Sequence, residues 1–354
     1  MLTPRENFLR ALRRDGPEWV PFDLGLCPAL REELRRRTGH DDPYAYFGIP
    51  LAGISPAPSV EKADFSVYYP GGLPEGAWLD EWGIGHRPGG FEHFEKMLHP
   101  MAGFTTPEEI AAYPLPDLDA GYRWAGTAAQ AAAIKARDLV AVGHMHCTLF
   151  ETAWYLRGME AFLADLLIAP AMAGALLDRL ADLRAAQAAH YARAGADLIQ
   201  FGDDVSTQLA MMLSPALWRR EIKPRLARVI AAARAANPET IMWYHGDGNL
   251  SAIVPDLIEI GIQVLNPVQP ECMDPADLKA AYGDRLSFWG AVGTQTIMPF
   301  GTPDEVNAYC KTLIETVGKG GGLVVAPTHV LEPEVPWENV EAMVAAVREY
   351  GRYR

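Results

Sequence analysis

From residue 139 onward, short apolar, β-favouring runs alternate with long stretches of helical period, and this alternation narrows the folds open to the chain more than any other feature. The runs at 139–142, 198–201, 241–244, 262–265, 286–289 and 323–326 read as buried parallel strands. Between them, 171–194, 215–236, 250–260, 303–317 and 336–350 carry helical periodicity. Ser214-Pro215, Asp274-Pro275 and Thr302-Pro303 each set a capping side chain before a proline at a first helical position. Thr3-Pro4 opens a further helix through Arg14, 19–24 reads as another strand, and 47–54 as a less regular eighth. Eight strands with intervening helices predict a TIM (β/α)8 barrel, one domain over 1–354, with an N-terminal helical extension and a long Pro- and Gly-rich insertion near 55–125. A doubly wound open sheet is the alternative, but no Gly-rich phosphate fingerprint or P-loop follows the first strand.

Composition removes several function classes. The 31 Lys plus Arg stand against 45 Asp plus Glu, a formal net charge of −14 that disfavours a nucleic-acid partner, since phosphate binding needs clustered cations. Nearly half the residues (49%) are hydrophobic, enough for a large core and against disorder as the main state. The longest uncharged apolar run, 166–177, contains Pro170 and falls short of the ~18 residues of a membrane span. The opening MLTPRENFLRALRR has no apolar secretory core, so the expected location is cytoplasmic. Cys27, Cys147, Cys272 and Cys310 are scattered, which fits neither a disulfide framework nor a four-thiolate zinc site.

Chemistry in a parallel barrel collects where strands end, and here six strand ends run into acids, amides or imidazoles. The first strand leads to Asp23, the next ends to His144 and His146, to Asp203 and Asp204, to His245 and Asp247, to Asn266 and Gln269, and the last to His329. In WYHGDGN, His245 and Asp247 are two apart and project to one side, with glycines that let the backbone turn closely around a bound group. With His329 they make a possible His/carboxylate/His metal set; direct hydrogen bonding without a metal accounts for the same spacing equally well. The adjacent Asp203 and Asp204 repel, so one of them can act as acid or base, or one can cap a turn while the other is solvated. His146, Glu151 and Trp154 are candidates for pocket walls, although Trp154 equally suits core packing.

The series PRENFLRALRRDGPEWVPFDLG, DEWG, TLFETAWYLRG, FGDDVSTQ, SPALWRREIKPRLARVI, WYHGDGN, LNPVQP, GDRLSFWGAVGTQ and VVAPTHVLEPEVPWENV resembles the uroporphyrinogen decarboxylase superfamily over almost the whole chain. That superfamily includes tetrapyrrole decarboxylases and corrinoid-linked methyltransferases, and the resemblance implies a TIM barrel. The arginine-rich grip that decarboxylases carry after the first strand reads DLGLCPALREELRRR here, with the arginines displaced into a helix. In the coenzyme M branch zinc is held by a His-x-Cys pair and a late Cys. His245 matches the histidine, Asp247 replaces the first Cys, and His329 falls at the second, a harder set still suited to zinc.

The resemblance therefore implies a zinc-dependent methyltransferase of the O-demethylase-like branch, moving a methyl group between a small methoxy, methylamine or methylthio compound and a corrinoid. No DxHxxG segment is present, so the corrinoid is expected on a separate protein. The expected roles are Asp204 and His329 catalytic; His245, Asp247 and His329 on the metal; and Asp23, His146, Glu151, Trp154, Asp203, Gln208, Asn266 and Gln269 toward substrate. Expected partners are the small-molecule donor or acceptor and the corrinoid protein, with a homodimer as a compatible assembly and neither nucleic acid nor membrane. The alternative is a cofactor-independent decarboxylase or lyase, in which Asp204 and His329 would stabilise a charged intermediate; a non-catalytic binding relative is a third reading.

Overall fold

A computed structural model of the chain describes residues 1–89 and 95–353. Among the described residues ten strands are formed: β1 (Leu51–Ile54), β2 (Trp78–Leu79), β3 (Gly85–Pro88), β4 (Glu95–Leu98), β5 (Val140–Met145), β6 (Leu198–Gly202), β7 (Ile241–His245), β8 (Val264–Asn266), β9 (Ser287–Val292) and β10 (Leu323–Pro327). Seven of them make one sheet in the order β1-β5-β6-β7-β8-β9-β10, and each paired neighbour is parallel. The spatial order follows the chain without reversal, which rules out the doubly wound alternative. The ends of β5 to β10 and residues 23–25 line one common cavity, so the sheet is curled in the manner of a TIM barrel.

The strand expected over 19–24 is not formed as a ladder. Residues 19–24 make isolated bridges instead of a ladder: Phe22 pairs in parallel with Val325, where the Asp23 N–H donates to Val325 O at 3.0 Å and the Val325 N–H donates to Pro21 O at 3.0 Å. Pro21 has no N–H to give, which interrupts the segment as a strand. Other boundaries also moved for local reasons. The segment expected as a strand over 47–54 begins in the helix Pro43–Phe47, closed by Gly48 at φ 75°, so only Leu51–Ile54 is extended. Gly261 at φ 104° caps the helix Val254–Ile260 and delays β8 to Val264. Pro224 breaks the helix expected over 215–236 into Pro215–Glu221 and Lys223–Ala236.

The strands β5 to β10 are buried on both faces at nearly every position, as apolar runs between a filled interior and a helical coat must be. Phe201, Tyr244, Phe288 and Trp289 are among the largest fully buried side chains, each contributing roughly 1.5–3 kcal/mol by burial. The long helix Pro170–Ala194 packs against Lys223–Ala236 outside the sheet. Among the described residues no single helix is long and apolar enough to cross a membrane.

The insertion near 55–125, of which 90–94 lie outside the described residues, is folded. Its strands β2, β3 and β4 form a small antiparallel sheet, and Phe65, Tyr68 and Tyr113 cluster beside it at ring separations of 4.7–6.5 Å. It is tied to the helix Phe150–Arg157, which follows β5: the Met101 N–H donates to Leu156 O at 2.9 Å, and Arg157 Nη1 donates to Met101 O at 2.7 Å. The insertion is thereby held beside the end of the sheet where the strands finish.

One close approach tests the curled sheet. Gly290 in β9 has φ 133°, and a Cβ there would stand 1.9 Å from Pro267 O. Gly290→Ala is expected to cost roughly 3 kcal/mol or more in urea unfolding. An unchanged unfolding midpoint would show that the backbones of β9 and the loop after β8 are not this close.

Candidate metal centre

The loop after β7 carries His245, Gly246, Asp247, Gly248 and Asn249, and it is laced to the loop after β6. The Asp247 N–H donates to Asp204 Oδ1 at 2.8 Å, Ser206 Oγ donates to Asp247 O at 2.6 Å, and the Asn249 N–H donates to Thr207 O at 2.9 Å. Gly248 is required at φ 82°, because a Cβ would lie 2.3 Å from Thr207 O. This lacing brings one ligand atom each from Asp204, His245 and Asp247 within 4.8 Å of one another.

The two adjacent acids part company at this point, since alternation on an extended backbone sends neighbours to opposite sides. Asp203 is fully buried and accepts the Leu149 N–H and the Glu151 N–H at 3.0 Å each, at the N-terminus of the helix Phe150–Arg157. Burial and the nearby Glu151 charge push its carboxyl up to about 8, against those backbone donors. Asp203 lines neither cavity described below, away from the substrate position expected for it. Asp204 faces the cavity, and its N–H donates to Glu151 Oε2 at 3.1 Å.

His245 is oriented by a short relay. Asn266 Nδ2 donates to Trp289 O at 2.8 Å, which turns Asn266 Oδ1 toward His245 Nδ1 at 2.6 Å. In the neutral imidazole the proton is therefore on Nδ1, and Nε2 presents its lone pair to Asp204 Oδ1 at 3.6 Å and Asp247 Oδ1 at 3.7 Å. Those separations are too long for hydrogen bonds. They are close to the roughly 3.3 Å edge of a tetrahedron with arms of ~2.0–2.1 Å, and a ligating histidine commonly donates its other nitrogen to an oxygen in this way. Without a metal, burial disfavours a proton on His245, but the carboxylates of Asp204 and Asp247 outweigh it and raise the pKa. Burial, reinforced by Asp204, raises Glu151 and Asp247, with His245 opposing in each case.

Two cavities meet at this centre. An inner one of about 550 Å³ is lined by Asp23, His146, Glu151, Asp204, His245 and Asn266 among others. An outer one of about 470 Å³ is lined by Asp247, Gln208, Gln269 and Glu334 among others. Thr328, His329 and Val330 wall both. His329 is thus beside the centre but outside the three-donor group, and Asp204 takes the place expected for it. The cause is the hydrogen-bonded lacing of the loops after β6 and β7, which no spacing along the chain reveals.

The remaining expected residues distribute as follows. Asp23 accepts the Trp289 Nε1–H at 3.2 Å and the Leu24 N–H at 2.8 Å, and burial raises its pKa against these donors and Tyr44. Burial first, then His245 and His144, lower His146 to about 4. Tyr155 OH donates to Glu151 Oε1 at 2.9 Å. Gln208 Nε2 donates to Gln295 Oε1 at 2.5 Å across the outer cavity, and Gln269 Oε1 accepts the Gly248 N–H at 3.2 Å. Trp154 is half-buried against Tyr155 and His99 and lines neither cavity. Tyr44, Gln200, Trp243 and Trp289 line the inner cavity without having been singled out. Only Gln200, a polar residue inside an apolar strand run, carried a visible signal; its Oε1 pairs with His144 Nδ1 at 2.7 Å.

Residues 100–350 match the family described as Uroporphyrinogen decarboxylase (URO-D). The chain belongs to that family. A 180-residue stretch is 32% identical to a methylcobamide:CoM methyltransferase of Methanosarcina barkeri and covers 49% of each chain. A 184-residue stretch is 27% identical to a uroporphyrinogen decarboxylase of Pelodictyon phaeoclathratiforme, 51% of this chain and 50% of that one. The chain spans about half the length of the curated relatives it matches. A solved methyltransferase from Methanosarcina mazei has the same fold, with a TM-score of 0.70 at 19% identity over 99% of both chains.

The Asp203 arrangement generates a test. Asp203→Ala leaves the N–H groups at the start of Phe150–Arg157 without an acceptor and is expected to cost about 1–3 kcal/mol in chemical unfolding. Asp203→Asn keeps one oxygen and is expected to cost less. Equal losses would show that the carboxylate is not acting as the helix-end acceptor.

Proposed function

We propose that the chain is a metal-dependent methyltransferase, zinc being the favoured ion, that moves a methyl group between a small methoxy, methylamine or methylthio compound and a corrinoid carried by a separate protein. The observation that carries this reading is the Asp204, His245 and Asp247 group at the junction of two cavities, with His245 Nδ1 committed to Asn266. The likeness to a methylcobamide:CoM methyltransferase over half the chain supports it. A bound ion would supply Lewis acidity toward the oxygen, sulfur or nitrogen from which the methyl departs or at which it arrives.

The chain's own residues perform the rest. Asn266 and Trp289 O fix the imidazole tautomer, and the loop after β7 holds Asp247 against Asp204. Glu151, held by Tyr155 OH and the Asp204 N–H, is a carboxyl with a raised pKa inside the inner cavity, suited to exchanging a proton with a leaving group. His329, on the shared wall, is placed to hydrogen-bond a ligand in either cavity. Among the described residues no lysine or arginine lines either cavity, so a polycarboxylate tetrapyrrole would find no counter-charge, and this weighs against the decarboxylase alternative.

Elemental analysis after dialysis in metal-free buffer tests the centre. Near-stoichiometric zinc or iron is expected in the wild type and its loss in His245→Ala, while Asn266→Ala is expected to weaken metal affinity about 10–100-fold. Absence of metal from the wild type would sink the mechanism. Acid gives a second test. Since the carboxylates raise the pKa of His245, a proton competes at Nε2, and metal affinity is expected to fall as the pH is lowered. A metal affinity that does not change with pH would remove His245 from the ligand set.

A further inference from the structure

The inner cavity has a chemical bias that the metal centre does not explain. Its lining includes the carboxylates of Asp23, Glu151 and Asp204, and the adjoining outer cavity adds Asp247 and Glu334. A divalent ion would neutralise Asp204 and Asp247 but not Asp23, whose carboxylate belongs to the 23–25 segment and is paired with the Trp289 indole instead. Around it the wall is aromatic. Trp243 and Trp289 meet edge to face at 6.0 Å, His146 stands perpendicular to Trp243 at 5.6 Å, and Tyr44 hydrogen-bonds Asp23. The Trp243 indole is 3% exposed, and its Nε1–H is buried without a partner among the described residues.

Aromatic faces beside a carboxylate are what a methylated ammonium head requires. It has no N–H to satisfy when fully substituted, and its diffuse charge is stabilised by π-systems. An anionic ligand would instead be opposed by every ionised carboxylate in the lining. We propose that the inner cavity takes a small methylated ammonium cation, its charged head beside Asp23 and against the aromatic wall that includes Tyr44, Trp243 and Trp289. The inference deepens the methyl-transfer reading by naming the donor class, and it rests on that reading only for the fate of the methyl group. Transfer breaks the C–N bond with its electron pair remaining on nitrogen, while the methyl carbon bonds to the electron pair of a reduced corrinoid cobalt. The donor thereby becomes a neutral amine, which an acidic, aromatic cavity holds less well than the cation.

Titration calorimetry on the purified protein, with tryptophan fluorescence as a second readout, tests this using choline, its neutral carbon isostere 3,3-dimethylbutanol, and propionate. Choline is expected to bind at least about tenfold more tightly than the isostere, and propionate not to bind measurably. Asp23→Asn is expected to abolish the preference for choline. Equal or tighter binding of the isostere to the wild type overturns the proposal, and that comparison needs no variant. A preference undiminished in a folded Asp23→Asn protein overturns the assignment to Asp23. Methyl transfer to a corrinoid protein from methoxy or methylthio donors, without a choline preference, overturns this inference and leaves the methyl-transfer reading standing. A choline preference without transfer from any donor keeps the cation site and removes that reading.

Discussion

The arrangement of the whole mouth depends on where the Asp203 carboxylate goes. By accepting N–H groups at the start of Phe150–Arg157 it joins the end of β6 to the element after β5, and so fixes the backbone on which Asp204 stands. Asp204 then has one direction left, into the cavity, where Oδ1 also receives the Asp247 N–H. The same helix carries Glu151 and Tyr155 to the inner cavity and supports the insertion through Arg157 and Leu156. One buried acid thus sets the positions of three others, none of which touches it through its own side chain.

The electrostatics at this end of the sheet are one-sided. Carboxylates accumulate around His245 while the nearby cation, Arg184, is buried beneath the loop and spends its donors on Cys147 O, Thr148 O, Thr152 and Gln187. Burial, reinforced by repulsion from Asp204, raises the pKa values of Glu151 and Asp247 and disfavours the fully ionised state without a bound cation. A cation at the centre removes that penalty, so the free energy that destabilises the bare site becomes affinity for what fills it.

Much of this was legible in the chain. The order of apolar runs and helical stretches specified the parallel sheet, and six of the strands appear where the runs lie, because a strand buried on both faces has no polar alternation to disguise it. The acids, amides and imidazoles at strand ends were legible for the same reason. What could not be read was pairing in space. Asp204 instead of His329 completes the group with His245 and Asp247 because two loops are hydrogen-bonded to each other, and Asp203 turns away because a helix end lies next to it. The 19–24 segment fell short of a strand where Pro21 has no N–H for a ladder, a feature visible in the sequence but outweighed there by its apolar run.

His329 and its neighbours Thr328 and Val330 form a wall common to both cavities. A partition with a ligand on either side is a thermodynamic coupling element. If filling one chamber shifts the wall, the free energy of filling the other changes, and by the symmetry of linkage the second occupant alters the affinity for the first by an equal factor. The order in which two reactants arrive would then leave their overall affinity for the pair unchanged while altering which half-filled state is populated on the way.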